Sequence, residues 1–423
     1  MEKLPMTDEQ GYIFDVNERS EGTPYHIAFD IKFTQSFAAD RLRFAVEKCL
    51  LSADISGVGC CVDGDGKYME FLPPVLEKIE AYNFQSIELY QEYCDGIPEN
   101  EVDNRNRLFN VFIYSIGNSF NNLHFCFNHV IFDGISAIAL YEKIQQVLLD
   151  ENAEIHWHPF SSHLKKLAGA SVEKNNVDDG QFWDTRFSEL ATCAPLFKDV
   201  IDVEESVASH LSFRLSKEIK EGLFSCCDKS KASPFTVILT FFAELLSEKC
   251  GGKRFCIEVP FGNRLGHEEK DSLGAYEIVA PFTFDFSEHK GLVERIQSVK
   301  KQSREFCRHK DYDWNSKISS ASCLMKYGRY VPQILLSYFC FNKNCSMGFS
   351  TLHHYASKTC GFPINLYISD YLDCESIDFY YVFWRQCITP EVVFEIQNEL
   401  EERLRSFSEG GSFSLGDVSN CKH

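Results

Sequence analysis

Asn128-His129-Val130-Ile131-Phe132-Asp133-Gly134 puts an imidazole, a carboxylate and a glycine within one short stretch. A neutral imidazole in a partly dry site can accept a proton near neutral pH, as a general base must. A carboxylate just before a helix can cap it, and a glycine beside it permits close approach of a ligand to the backbone. The same residues also fit a plainer arrangement: a core-facing histidine bonded to a backbone carbonyl, followed by an aspartate cap. The elements that carry these side chains bear on the choice.

Period-2 alternation along NLHFCFNH puts Leu123, Phe125, Phe127 and His129 on one face, with His124, Cys126 and Asn128 on the other. His129 therefore shares the apolar side and should point inward, whereas Asn128 should not. After Gly134, the spacing of Ile135, Ile138, Tyr141, Ile144 and Leu148 predicts a helix with Asp133 at or near its N-cap. Residues 107–116, RLFNVFIYSI, form a nearly continuous apolar run, as in a strand buried on both faces. Upstream, residues 25–33 read as a strand, 37–51 as a helix and 60–72 as a hairpin around Asp-Gly-Asp-Gly. The polar, aperiodic stretch 171–180 divides the chain, which we read as lobes 1–175 and 176–423. The second contains a helix from Gln181, a strand at 210–216, a helix opened by Ser233-Pro234, strands at 255–264, 278–286 and 334–342, and a last helix at 390–407. A Ser/Gly-rich tail begins at Ser408. The fold class is mixed α/β.

A net charge of -20 speaks against a nucleic-acid partner. The N-terminus has no apolar leader, and the longest apolar-leaning run, residues 235–246, contains Glu244 and is too short to span a bilayer. The 18 cysteines include no Cys-x2-Cys pair, so we read them as free thiols in a cytoplasmic monomer without a metal site or membrane segment. His353-His354 lacks a following Asp-Gly and reads as a loop pair. Gly-x-Ser-x-Gly, phosphate-loop and His-Glu-x-x-His motifs are absent.

Several further segments fall into order along the chain. They are Leu4-Pro5-Met6-Thr7-Asp8-Glu9-Gln10, Gln181-Phe182-Trp183, Gly262-Asn263-Arg264, Leu273-Gly274-Ala275-Tyr276 with Pro281, and His309-Lys310-Asp311-Tyr312. Together with residues 128–134 they resemble the motifs of nonribosomal peptide synthetase condensation domains, in the chloramphenicol-acetyltransferase-like superfamily. In that family the central motif is His-His-x-x-x-Asp-Gly. The resemblance implies two such lobes in a V-shaped pseudo-dimer with an active-site tunnel between them.

By the same resemblance, His129 is the catalytic histidine, acting as general base toward an acceptor amine or holding that amine and the tetrahedral intermediate. Asp133 would pair with Arg264 of the second lobe, Gly134 could offer a backbone N–H to an oxyanion, and Ser337 would lie on a tunnel-lining strand. Asn128 replaces the first histidine, and Glu277-Ile278-Val279 stands where the family usually has Asn. The implied reaction moves an acyl or aminoacyl group from a phosphopantetheinyl thioester on an acyl or peptidyl carrier protein to an amine, forming an amide. The acceptor would be a small molecule or a second carrier-bound group. No cofactor is bound by the chain itself, since the carrier supplies the phosphopantetheine. Adenylation and carrier domains would be separate polypeptides, the chain being free-standing. Two alternatives stay open: a coenzyme A-dependent acyltransferase making an ester or amide, and a non-catalytic carrier-docking module.

Overall fold

The computed structural model describes residues 2–19, 25–64, 66–170, 177–197, 208–264, 266–287, 291–310, 312, 332–341, 349–355, 361–371 and 377–408. Asp311 and the tail from 409 lie outside the described residues. The chain divides into two compact units. The first comprises Met1–Glu173, Gly262–Ile278 and Lys343–Gly361; the second comprises Lys174–Phe261, Val279–Asn342 and Phe362–His423. The first break falls inside the polar stretch expected to divide the chain. A single boundary there does not describe the units, because two later stretches return to the first.

The chain opens with β1 (Glu2–Pro5), α1 (Asp8–Arg19), β2 (His26–Phe33) and α2 (Ala39–Leu50). The expected hairpin follows as β3 (Val58–Asp63) and β4 (Gly66–Phe71). Next come β5 (Ala81–Phe84), α3 (Ile87–Asp95), α4 (Ile97–Asn100), β6 (Phe109–Ile116) and β7 (Asn122–Asn128). Then follow α5 (Gly134–Leu149), α6 (Phe160–Ala170), α7 (Val177–Leu190), β8 (Ala208–Leu215), α8 (Lys217–Ser230) and α9 (Pro234–Cys250). After them lie β9 (Arg254–Gly262), β10 (Glu277–Asp285), α10 (Leu292–His309), β11 (Ile334–Phe341) and β12 (Ser350–His354). The last elements are β13 (Ile364–Tyr371), β14 (Ile377–Trp384) and α11 (Pro390–Ser408). The first unit has a five-stranded sheet, β12-β2-β7-β6-β5, and a three-stranded one, β1-β4-β3; a six-stranded sheet, β10-β9-β11-β13-β14-β8, is built on the second.

His353 and His354 are not in a loop. They lie on β12, in antiparallel register with Asp30 and Phe29 of β2. This edge strand is short and its side chains are mostly polar, so it carries little of the apolar alternation by which strands are read. No helix among the described residues is long and apolar enough to cross a membrane. Within α9, buried Glu244 is held by Arg403 at 3.2 Å and Arg295 at 3.5 Å.

Strand β7 is buried along its whole length. On one side, the Phe127 ring stacks on Phe132 at 3.9 Å and Phe125 stacks on Phe29 at 4.8 Å. On the other, Cys126 packs with Ala28, Tyr90, Cys94, Ile97 and Tyr114. His124 on that face is closed in by Asp30, whose carboxylate lies 2.9 Å from its Nδ1 and also accepts from Tyr90 and Tyr114. This histidine is 1% exposed and belongs to the core.

The Thr7-x-x-Gln10 spacing has a local physical cause. Thr7 N–H donates to Gln10 Oε1 at 2.9 Å and Gln10 N–H donates to Thr7 Oγ1 at 3.2 Å, a reciprocal capping box at the start of α1. The buried Gln10 amide then donates from Nε2 to the Val130 carbonyl at 2.9 Å, in the turn beyond β7. Gln10→Ala should lower the stability of the protein by about 1–3 kcal/mol in urea unfolding, because it breaks the box and strands a buried carbonyl. An unchanged unfolding midpoint would show that the amide does not hold the turn.

Candidate active site

Strand β7 stops at Asn128 because that side chain replaces the ladder. Asn128 Oδ1 accepts from Val130 N–H at 3.0 Å and from Asn17 Nδ2 at 3.3 Å. Its Nδ2 donates to the Asp103 carbonyl at 3.0 Å and to Asn104 Oδ1 at 3.2 Å. Asn128 is fully buried, and its amide is committed to holding the turn. The next residue, His129, donates its backbone N–H to the Tyr25 carbonyl at 3.0 Å, leaving the ring free to point elsewhere.

Asp133 caps α5, accepting from Ser136 N–H at 2.7 Å. The same carboxylate receives Arg264 through Nη1 at 2.7 Å and Nη2 at 3.2 Å, and accepts from Tyr276 N–H at 3.1 Å. Arg264 also donates to Ser136 Oγ and to the carbonyls of Glu269 and Ser272, and its guanidinium lies 4.2 Å from the Tyr276 ring centre. Burial alone would raise the Asp133 carboxyl, but Arg264 and the Ser136 bonds hold it below the usual carboxylate range. Arg264 and Asp133 both belong to the first compact unit, so this pair does not join two lobes as the single boundary implied. Gly134 is the first residue of α5, where a helix leaves backbone N–H groups without intrahelical partners. Close approach sets the path of the facing loop: a Cβ on Gly274 would meet the Phe160 ring at 2.2 Å.

The His129 ring is clamped at both nitrogens. Nδ1 lies 2.8 Å from the Phe132 carbonyl and Nε2 lies 2.9 Å from Glu277 Oε1. Burial disfavours the charged ring, yet the Glu277 carboxylate, the backbone bond and the Asp133 charge raise its pKa to about 9. An unfolded histidine titrates near about 6.5. The contribution of this charge to stability is therefore fully present below about pH 6.5 and lost as the pH climbs through about 9. Side-chain exposures of 13% for His129 and 21% for Glu277 leave the pair open to a small reactant, unlike His124.

Five of the expected residues, Asn128, His129, Asp133, Gly134 and Arg264, thus gather in the first unit. Ser337 belongs to the second, buried on β11 in register with Tyr367 of β13. The side chain of this site that sequence reading missed is Glu277. It was visible only as a departure from the usual motif.

The Condensation domain family model matches residues 2–323 of the chain. The chain belongs to the condensation-domain family. Enzymes of this family are acyltransferases that form amide bonds. Among curated relatives, a plipastatin synthase protein of Bacillus subtilis is 21% identical over 250 residues, covering 57% of this chain and 10% of that protein. A polyketide synthase–nonribosomal peptide synthetase of Pyricularia oryzae is 23% identical over 184 residues, covering 42% of this chain and 5% of that protein. The condensation domain therefore corresponds to a small fraction of the length of these relatives.

Solved structures show the same fold at low identity. The first condensation domain of the CDA synthetase superposes with a TM-score of 0.80 at 12% identity, covering 98% of both chains. The condensation domain of the Monacolin K polyketide synthase MokA gives 0.79 at 14%, covering 98% of this chain and 99% of that one. The epimerization domain from the third module of tyrocidine synthetase B gives 0.77 at 14%, covering 97% and 96%. One fold therefore carries more than one reaction, so chemistry has to be argued from the residues.

Two other motif segments of this condensation domain meet inside the second unit. Trp183 Nε1 donates to the His309 carbonyl at 3.0 Å, and the Phe182 ring stacks on the His309 imidazole at 4.2 Å. Asp179 Oδ1 lies 2.5 Å from His309 Nδ1. These contacts tie α7 to the end of α10 and give both segments a structural reason for their residue types.

Proposed function

We propose that the chain transfers an acyl or aminoacyl group from a phosphopantetheinyl carrier-protein thioester to an amine, making an amide. The observation that carries this reading is the partly exposed His129 ring, held by Glu277 and the Phe132 carbonyl just before a helix whose N-terminus is fixed by the buried Asp133–Arg264 pair. That arrangement puts proton-transferring groups next to backbone N–H groups suited to a developing oxyanion. A docking module would need neither the open imidazole nor the buried pair. The phosphopantetheine arm enters as part of the substrate, and the acceptor is a small amine or a second carrier-bound group.

The test is intact-mass measurement of an acyl-loaded carrier protein mixed with the chain and a panel of amines. Loss of the acyl mass from the carrier, with a matching gain on the amine, is the expected result. Transfer from acyl-coenzyme A at equal or better efficiency would favour the small-molecule acyltransferase instead. An acyl group that stays on the carrier with every amine, while the chain still binds that carrier, would favour docking.

A further inference from the structure

Hydrogen-bond partners fix the protons on His129. The Phe132 carbonyl can only accept, so Nδ1 carries a hydrogen. The Glu277 carboxylate also accepts, so Nε2 carries one as well when the two form an ion pair. An imidazolium bound this way has no lone pair with which to take a proton from an amine. The carboxylate beside it does. Neighbouring charges suit this division: Asp133 faces the same ring but is already committed to Arg264, Ser136 and Tyr276. Other buried ionisable clusters offer no comparable opening, with Asp30, His124 and Glu244 each at most 4% exposed.

We propose that Glu277 is a catalytic residue of the transfer, taking the proton of the acceptor amine while His129 stays charged as its partner and hydrogen-bond donor. The proposal rests on the carrier-to-amine reading above. In the step, the amine nitrogen attacks the thioester carbonyl, a C–N bond forms and the carbonyl electron pair moves to oxygen. Backbone N–H groups at the start of α5 stabilise that oxyanion, and the His129 charge adds to this through space. Glu277 removes a proton from the new ammonium. Collapse of the intermediate breaks the C–S bond, and the proton passes from Glu277 to the departing thiolate. The products are the amide and the free carrier thiol, with no redox change.

Glu277→Gln keeps the shape and removes the base. In the full-length protein, side-chain NMR should show the His129 titration falling from about 9 by at least roughly one pH unit. With an acyl-loaded carrier and a saturating amine, kcat should drop at least roughly tenfold, with little change in KM. In the parent, the rate should already be near maximal while His129 is charged. In the variant, the remaining rate should follow His129 deprotonation. Glu277→Asp should restore part of kcat, guarding against a folding defect in the first variant.

A parent rate that rises only as His129 loses its proton would assign the base to His129 and overturn the proposal. Equal or faster turnover by a folded Glu277→Gln protein would do the same. A parent inactive with every carrier and amine overturns the functional reading, and this proposal falls with it. An active parent with an indifferent Glu277→Gln variant overturns this proposal alone.

Discussion

His129→Ala will fold and will form product at least roughly 10²-fold more slowly than the parent, the scale of losing a preorganised charge and hydrogen-bond donor at the reacting centre. Folding should survive because only one of the bonds that shape this turn, from Nδ1 to the Phe132 carbonyl, uses the imidazole. Asn128 and Gln10 hold Val130, Tyr25 receives the His129 backbone N–H, and Asp133 caps the next helix. Of the partners left behind, Glu277 is partly exposed, and the space vacated by the ring can admit water to the buried Phe132 carbonyl. Circular dichroism and carrier-to-amine kinetics on the same sample make the check. Full turnover by a folded mutant would remove His129 from the mechanism.

Asp133→Ala and Arg264→Ala should each cost about 3–5 kcal/mol of stability, because each leaves its partner charged and buried. Side-chain exposures of 2% and 7% put this pair far from the surface regime in which ion pairs contribute little. The loss extends beyond the pair: Asp133 also caps α5 and holds Tyr276, and Arg264 fastens the loop through Ser272 and Glu269. Activity should fall with stability, since Glu277 directly follows Tyr276 in the chain. Urea unfolding of the two single mutants and the double mutant gives the coupling energy. Single mutants within about 1 kcal/mol of the parent would show that the pair does not hold the loop.

Local signals carried much of the site into view. Helical spacing after Gly134 placed Asp133 at a cap; alternation along residues 122–129 told the two faces of β7 apart but not inside from outside, because both are covered and Asn128, expected not to point inward, is fully buried. Both are short-range properties of strand parity and capping chemistry. The contact between His129 and Glu277 has no such signature, because it depends on how a distant segment returns to the first unit. Gln10 shows the limit within one side chain: its spacing from Thr7 encodes the capping box, but nothing local encodes its bond to Val130. In the second unit, β13 and β14 were not read from the sequence, although they pair in register within the six-stranded sheet. Apolar runs with buried positions on both faces, such as β14, lack the clean alternation that marks a half-buried strand.

Because the first unit is assembled from three separate stretches, the order in which a ribosome releases the chain matters to it. When residue 173 has been made, Asp133 has no Arg264, His129 has no Glu277, and the β2 edge has no β12. An uncovered strand edge invites pairing with other chains, and a buried carboxylate without its guanidinium is costly. The nascent first unit therefore remains incomplete until about ninety more residues deliver Arg264 and about ninety beyond those deliver β12. Cutting the gene at the polar stretch 171–180 would reproduce that half-made intermediate permanently, so dissection of this protein has to follow its spatial units and not its linear halves.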